Sequence, residues 1–470
     1  MTARDPRPGL REVLAQPGYR RLWVARTISQ WGDTFNFVAL ALLIYDLTGS
    51  GVGVSGVVVA EILPVLLLAP VAGPLGDRWP RVRVMIGSDL CRVGLALVLA
   101  VWHEAPVAVY AVAFAMSVGS VFFNPAASSV LPALVREDEL VAANSGIWTA
   151  AVVSQIVLAP VAGILVVTAG YAPAFAINAA SYAASALVLR ELRVPDVLQP
   201  RRRQRWWADA RDGAMVLVRY RLLRALALGQ VLAALSAGAT SALLIVLAEE
   251  RLGVTGGGYG LLIAAIGIGA ALGPLALLRL VRNPARPLFV FGSFGLRGLV
   301  DLLLATVTVV PGAAASLVVY GVGTSTGAVT FNSMVQTETP ERFRARVFAS
   351  MDLIWQAGRL ISLGVGGVLA DAYGIQAVYY VGALFCSPAP RLASSRRGQS
   401  LLVKGVDPVR CPANRVSFHF HSAALECLSV RWPWVSRGPA TCKRRPRCPR
   451  RRRAPRRRVH GSRRRERHRR

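Results

Sequence analysis

The stretch Gly73-Pro74-Leu75-Gly76-Asp77-Arg78-Trp79-Pro80-Arg81-Val82-Arg83 decides the fold of this chain. It is a short basic segment with one aspartate, and a long apolar run lies on either side of it. Asp77 falls where a membrane helix is expected to end, at the carboxyl-terminal pole of the helix dipole. A negative charge is unfavourable there unless cations or the amino end of another helix compensate it, so the sequence predicts a specific partner for Asp77.

The chain as a whole has the composition of a membrane protein. Of its 470 residues, 54% are hydrophobic and 17% are charged, and the mean hydropathy is +0.45. A soluble fold of this length does not need so much apolar surface. The net charge is +30, but residues 387–470 carry 25 Lys and Arg against three acidic residues, which leaves +8 for the rest. The body of the chain therefore does not have the charge of a nucleic-acid-binding protein.

Apolar runs long enough to cross a bilayer recur along the chain, on the measure of about 20 residues for a membrane helix. We predict spans at residues 22–45, 51–75, 84–102, 106–128, 141–168, 171–190, 222–248, 257–280, 287–310, 313–336, 347–370 and 375–386. The twelfth run has about 12 residues and is too short to cross. The predicted fold class is an all-α integral membrane protein with eleven full spans and a truncated twelfth.

Arginines divide the connections between spans into two alternating sets. One set contains Arg78, Arg81, Arg83, Arg136, Arg201, Arg202, Arg203, Arg205, Arg279, Arg282, Arg286, Arg342, Arg344 and Arg346. The other set, at residues 46–50, 102–106, 168–172, 249–256, 311–312 and 371–374, contains a single arginine, Arg251. The positive-inside rule therefore places the amino terminus in the cytoplasm. We call the two sides of the protein the arginine-rich end and the arginine-poor end.

The spans are predicted to form two bundles of six. The organisation that we expect is a cytoplasmic amino terminus (1–21), an amino-terminal bundle (22–190), a cytoplasmic linker (191–221), a carboxyl-terminal bundle (222–386) and a basic tail (387–470). The linker contains Trp206 and Trp207, which favour a helix lying in the membrane interface, although a solvated linker is the alternative.

The two halves also repeat each other. Gly73-Pro74-Leu75 recurs 200 residues later, Phe123-Asn124 recurs 208 residues later as Phe331-Asn332, and Gly163 and Gly170 recur 204 residues later as Gly367 and Gly374. Similar offsets at three separate places predict duplicated six-helix halves, as in many secondary transporters.

With these features the chain resembles the major facilitator superfamily, over about residues 18–386. The segment 73–83 is similar to that family's cytoplasmic signature between helices 2 and 3, here Gly73, Leu75, Gly76, Asp77, Arg78, Arg81 and Arg83, with Pro80 in place of a glycine. Within the superfamily the resemblance is to macrolide-efflux and enterobactin-exporter-like proteins. It is carried by Tyr19-Arg20-Arg21-Leu22-Trp23, Ser29-Gln30-Trp31-Gly32-Asp33, Tyr45-Asp46-Leu47-Thr48-Gly49-Ser50, Ser88-Asp89-Leu90-Cys91-Arg92, Ala142-Ala143-Asn144-Ser145 and Arg344-Ala345-Arg346-Val347-Phe348.

The resemblance implies a cytoplasmic gate. It implies that Asp77 meets the signature's arginine and the amino end of the eleventh span, residues 344–348, in a charge network that includes Asp89, Arg92, Arg344 and Arg346. The family's glycine–proline pattern in the fifth span is partly present as Gly146, Pro160 and Gly163, where it implies a bent, closely packed helix.

Polar residues inside the apolar spans are the candidates for mechanism, because an ionisable group there is costly. Asp33 and Glu61 are candidate proton carriers, since burial of a carboxylate favours its protonated form; the alternative is a carboxylate permanently satisfied by its neighbours. Asp89 with Arg92, and Arg297 with Asp301, are spaced to neutralise each other on one helix.

A polar stripe of Asp352, Trp355, Gln356 and Arg359 lies on the eleventh span. It either faces a central cavity, where Arg359 would bind anionic or polar cargo, or it faces the second span as an interdomain latch. The remaining cavity candidates, each of which could instead form an interhelical hydrogen bond, are Gln30, Asn36, Asn124, Gln155, Gln230, Asn332 and Gln336.

The expected function is export of an amphipathic small molecule, such as a drug, macrolide or siderophore, across the bacterial plasma membrane by alternating access coupled to protons. The alternative is a transport-impaired membrane protein with a basic anion-binding tail. We expect a monomer that is not an enzyme and needs no cofactor. The sequence has no Walker-type phosphate loop, so ATP is not expected to drive transport by this chain alone, and the cysteine spacings match no metal site.

The composition changes abruptly after Cys386. Residues 444–470 contain 16 arginines in 27 residues, which suggests a shift of reading frame in a GC-rich gene. The alternatives are a tail that binds nucleic acid or anionic headgroups, a cytoplasmic regulator, or simple disorder. We do not expect a nucleic-acid partner.

Overall fold

The structure is a computed structural model, and it describes residues 10–76, 79–194, 215–280, 287–339 and 343–386. Side chains of residues 69–76 are outside this description, as are Asp77, Arg78, most of the predicted linker and the whole tail. The described residues are almost entirely helical and contain no β-strand.

The helices follow the predicted spans. They are α1 (Leu10–Ala15), α2 (Pro17–Thr48), α3 (Gly51–Gly76), α4 (Arg81–Val101), α5 (Pro106–Leu134), α6 (Leu140–Ala169), α7 (Tyr171–Arg190), α8 (Arg221–Ala242), α9 (Leu244–Glu250), α10 (Gly256–Leu280), α11 (Pro287–Thr306), α12 (Val310–Glu338), α13 (Arg344–Tyr373) and α14 (Ile375–Cys386). Several extend a turn or more past the predicted bounds, because their ends leave the apolar core of the bilayer while remaining helical.

Ten of the described helices are long and apolar enough to cross a membrane. The first predicted span, α2, has 32 residues but carries charged residues along its length, and α14 has 12 described residues. The seventh span was predicted as one helix over 222–248, which is wrong: the helix is interrupted at Leu243, between α8 and α9.

Each half is a six-helix bundle. In the first, α2 packs against α6 and α7, α4 against α5 and α7, and α3 against α5. In the second, α8 packs against α13 and α14, α11 against α12 and α14, and α10 against α12. Two extensive pairs join the halves among the described residues: α6 with α10, and α3 with α13. These are equivalent pairs of the repeat, so the two halves are related by a pseudo-twofold arrangement.

The buried apolar residues form three clusters among the described residues. One large cluster, with Leu43 and Leu247 among its fully buried members, contains residues of both halves and lies toward the arginine-poor end. At the arginine-rich end, a cluster around Met85 belongs to the first half and a cluster around Val347 belongs to the second. Among the described residues, the apolar core is therefore shared at one end and separate at the other.

Candidate functional site

Asp33 lies on α2 and is bound from α7. The Tyr182 hydroxyl donates a hydrogen bond to Asp33 Oδ1 at 2.5 Å. Arg92 and Arg26 are close enough to act on this carboxylate electrostatically. The predicted neighbour Arg26 is therefore present, while Tyr182 and Arg92 come from other helices that periodicity within α2 cannot reveal.

The Asp89–Arg92 pair on α4 forms as expected. Arg92 Nη2 donates to Asp89 Oδ1, and the Ser185 hydroxyl donates to Asp89 Oδ2 at 2.8 Å. Both charged side chains are buried, and the Arg92 guanidinium lies 4.3 Å from the centre of the Tyr182 ring. Tyr182 thus connects this ion pair to Asp33, giving the first half a continuous polar network.

The corresponding pair in the second half does not form. Within the described part of the chain, no ion pair joins Arg297 to Asp301; the Arg297 Nη2 donates to the Tyr320 hydroxyl, and Asp301 Oδ2 accepts from the Ser236 hydroxyl at 2.7 Å. Arg297 Nε and Asp301 Oδ1 are buried and have no hydrogen-bond partner among the described residues. Packing from α8 and α12 therefore overrides the i, i+4 spacing that predicted self-neutralisation.

Glu61 and Arg359 interact electrostatically between the two halves. Glu61 is on α3 and Arg359 is on α13, two helices that pack together, and Arg359 and Asp33 both act on the Glu61 carboxylate. Their side chains are not within 4.0 Å, so they are coupled by charge without forming an ion pair. One group of the polar stripe on α13 therefore acts on a residue of α3, and the latch stays a prediction.

The same stripe also lines a cavity of about 500 Å³ in the second half. Of the predicted cavity candidates, Gln230, Asn332, Asp352, Trp355 and Arg359 line it. The remaining lining residues are Ala233, Ala237, Ser241, Ser293, Phe294, Arg297, Tyr320, Gly323, Thr324, Gly327, Ala328, Phe331, Phe348 and Met351. Arg359 therefore lines a cavity formed by residues of the second half, and its role in binding cargo stays a prediction.

The other predicted cavity residues lie elsewhere. Gln30, Asn36, Asn124, Gln155, Gln336 and Gln356 do not line this cavity. Asn124 and Gln336 are exposed, whereas Asn36 Oδ1 and Gln356 Oε1 are buried without a hydrogen-bond partner among the described residues. The sequence did not place Arg297, Tyr320, Phe294 or Phe331 in this cavity, because residues on α11 and α12 meet α13 only through tertiary packing.

The fifth span contacts the second half closely, as its small residues suggested. A Cβ placed on Gly163 of α6 would lie 2.1 Å from the carbonyl oxygen of Gly256, and one on Gly260 would lie 2.3 Å from that of Ala159, next to Pro160. Gly146 contacts the first half instead: its carbonyl accepts a hydrogen bond from Trp23 Nε1 of α2 at 3.1 Å. A bend at Pro160 stays a prediction.

The arginine-poor end is sealed by the equivalent contact between α3 and α13. A Cβ on Gly367 would lie 3.0 Å from the carbonyl oxygen of Gly51. The Asp371 carboxylate, at the end of α13, accepts hydrogen bonds from the backbone N–H of Gly51 at 2.5 Å and of Val52 at 3.1 Å. A carboxylate from one half therefore caps the amino end of a helix in the other half.

At the arginine-rich end, the gate residues are described only in part. Gly73, Leu75 and Gly76 lie in α3, whose side chains are not described there, and Asp77 and Arg78 lie outside the described residues. Arg81 Nη1 donates to the backbone carbonyl of Ser129 at 3.1 Å, and Arg83 and Arg344 are exposed. The Arg346 guanidinium lies 5.9 Å from the centre of the Phe343 ring. The predicted charge network from Asp77 to α13 stays a prediction.

Comparisons with known proteins agree with this architecture. The major-facilitator family model described as "Transmembrane secretion effector" matches residues 12–398. The chain is similar to the uncharacterized MFS-type transporter YfiS of Bacillus subtilis strain 168, with 27% identity over 399 residues that cover 78% of this chain and 90% of YfiS. It is 30% identical over 148 residues to macrolide efflux protein A of Streptococcus pyogenes, which covers 31% of this chain and 36% of that protein.

Among solved structures, the fold is similar to that of the nucleoside transporter NupG. The TM-score is 0.67 at 13% sequence identity, and the alignment covers 82% of this chain and 99% of NupG. This likeness concerns the fold of two six-helix bundles. From the family match, the chain belongs to the major facilitator superfamily, among the transmembrane secretion effectors, and is a multi-pass membrane transporter and not an enzyme.

Proposed function

We propose that this transporter exports an amphipathic small molecule by alternating access, with protons as the coupling ion. The observation that carries the proposal is the divided core: the halves share one apolar cluster at the arginine-poor end and have separate clusters at the arginine-rich end. Such a molecule can rock about the sealed end and expose a cavity on the other side. The arginine distribution supports a cytoplasmic location for the open side.

The cavity supports an amphipathic cargo. Aromatic side chains such as Phe294 and Trp355 provide apolar contact, and Gln230, Asn332 and Arg359 provide hydrogen bonds and charge. A few placed polar groups on an apolar lining are typical of small-molecule sites. Export is further supported by the partial similarity to macrolide efflux protein A.

Asp33 and Glu61 are the groups that we propose for proton coupling. Both are carboxylates in membrane helices, and each is an electrostatic neighbour of the other. Two interacting carboxylates titrate as a pair, so one proton taken up from either side can be shared between them. The position of Glu61 opposite Arg359 gives this pair a connection to the second half.

The proposal is tested by transport. Cells and proteoliposomes that carry the full chain are loaded with a macrolide or with the dye 8-anilinonaphthalene-1-sulfonate, and efflux is measured with and without a protonophore. We expect the protonophore, Asp33→Asn and Glu61→Gln to slow efflux about tenfold or more, since each removes a proton-coupling step. Glu104→Gln, an exposed acid in a loop, is the matched control.

One other outcome would favour the alternative function. The last helix, α14, is described for 12 residues, fewer than the roughly 20 that cross a bilayer. Equal accumulation of all cargoes with and without the protonophore, in a chain that reaches the plasma membrane, would identify a transport-impaired membrane protein and refute the export proposal.

A further inference from the structure

Two cations line the cavity of the second half, and no described acid forms an ion pair with either of them. Arg297 is 7% exposed, and its Nε has no hydrogen-bond partner among the described residues. Arg359 is half-buried, and no described residue forms an ion pair or a side-chain hydrogen bond with it. Both arginines line the same cavity, where Arg297 also donates a hydrogen bond to the Tyr320 hydroxyl.

The acids around these arginines lie beyond ion-pair distance of them. Asp352 is the acid among the lining residues, and it is exposed. Asp301 attracts Arg297 but accepts its hydrogen bond from Ser236, and Glu61 acts on Arg359 from beyond ion-pair distance. Two like charges that approach each other in a partly buried cavity are unfavourable unless an anion lies between them.

The rest of the cavity wall is suited to an aromatic or aliphatic body. Trp355 is half-buried beside Arg359, and Phe294 and Phe331 are also in the lining. The volume of about 500 Å³ is in the range of sites for small organic molecules.

We propose that this cavity binds an amphipathic organic anion, whose carboxylate, sulfonate or phosphate group bridges Arg297 and Arg359 while its apolar part packs against Trp355. The inference rests on the proposed function as a small-molecule transporter and specifies the cargo class of its site. Planar guanidinium groups bind such oxyanions with paired hydrogen bonds. Cationic or neutral cargoes would leave the two charges uncompensated.

The anion also defines the role of Glu61. The groups that act on Glu61 are Arg359 from α13, Asp33 from α2 and the Tyr259 hydroxyl from α10. A bound anion offsets the positive charge of Arg359, which otherwise stabilises the ionised form of Glu61. Anion binding therefore favours protonation of Glu61, and protonation of Glu61 favours anion binding. Glu61→Gln is therefore expected to strengthen anion binding by removing the competing carboxylate.

The test compares two probes that differ in one charged group. The full chain is reconstituted into nanodiscs of neutral lipid, and binding of 8-anilinonaphthalene-1-sulfonate is measured against its neutral analogue N-phenyl-1-naphthylamine. Arg359→Gln and Arg297→Gln are each expected to weaken sulfonate binding by about tenfold to a hundredfold, since each removes a charged hydrogen-bond donor. Binding of the neutral probe should change less than threefold. Arg359→Lys should retain part of the affinity, and Arg21→Gln, at an exposed ion pair with Glu191, is the control.

The outcomes separate this inference from the proposed function. Equal affinity for the two probes, or sulfonate binding unaffected by both arginine substitutions in a chain that remains folded by thermal unfolding, would overturn the anion site. Because binding needs no gradient, a charge-selective site in a protein that exports nothing would refute the proposed function and leave the anion site standing.

Discussion

Asp371 is expected to control the balance between the two states of the transporter. Its carboxylate bonds the first two N–H groups of α3, 2.5 and 3.1 Å away, and so closes the arginine-poor end. When this end opens, α3 and α13 must separate and the cap must break. Asp371→Ala removes the cap only from the closed state and should therefore populate the open state.

The magnitude follows from the geometry. Loss of a helix cap costs about 0.5–2 kcal/mol, and loss of a negative charge at the amino end of a helix costs about 0.3–1 kcal/mol. Asp371 is exposed, so water and ions screen part of the charge effect. A net cost of about 1–2 kcal/mol shifts the closed-to-open ratio by a factor of about 5–30. Asp371→Asn keeps one acceptor oxygen and should give a smaller shift.

The assay is a distance measurement between the halves. Spin labels on Val107 and Val309, which are exposed at the arginine-poor end of each half, report opening by double electron–electron resonance, with the native cysteines replaced. Glu104→Gln, which lies at the same end outside the contact, controls for a general charge effect. An unchanged distance distribution in Asp371→Ala would refute the reasoning, because it would mean that the cap contributes equally to both states.

Three further substitutions test other contacts. Gly260→Val should open the arginine-poor end and stop transport, because its side chain would collide with the backbone of α6; the same spin labels detect this. Tyr182→Phe removes the hydrogen bond to Asp33 and should slow proton-driven efflux about tenfold, measured in proteoliposomes under an imposed pH gradient. The loss of rate should be smaller than that caused by Asp33→Asn. Asp89→Leu leaves the buried Arg92 without its ion-pair partner and should destabilise the fold by about 3 kcal/mol, measured by denaturation in detergent; an unchanged unfolding midpoint would show that Tyr182 and Asp33 hold Arg92 by themselves.

Local patterns were sufficient to predict most of the helices. Apolar length located the membrane helices, although it did not reveal the break in the seventh span. The predicted repeat of Gly170 and Gly374 is visible in the backbone, where both adopt a positive φ, of 81° and 80°. Both glycines occupy the short turn between consecutive helices, a position that a residue with a Cβ fills only with strain. The interruption at Leu243 does not follow from the residue types, because residues 239–248 contain neither the proline nor the glycine that usually breaks a helix.

The site was predictable where a partner lies on the same helix and not where it lies on another. A spacing of three residues on one helix identified the Asp89–Arg92 pair. The corresponding spacing of four failed for Arg297 and Asp301, because Arg297 donates its hydrogen bond to Tyr320 on a different helix. Arg359 was identified because a charged group in an apolar run is conspicuous in any context. Which second cation it approaches depends on how α11 packs beside α13, and hydrophobic periodicity does not encode that packing.

Asp371 could have been found by the argument that singled out Asp77. Both are acids at the carboxyl end of a membrane helix, where the helix dipole makes a negative charge unfavourable unless another helix compensates it. For Asp371 the compensation is the amino end of α3, and for Asp77, at the opposite end of α3, the predicted compensation is the amino end of α13. The same two helices would then be capped reciprocally at their two ends.

Alternating access would exchange one cap for the other at nearly constant free energy. Asp77→Asn and Asp371→Asn should therefore shift the spin-label distances in opposite directions, and the double variant should return toward wild type. Shifts in the same direction would show that the two acids do not form opposing latches.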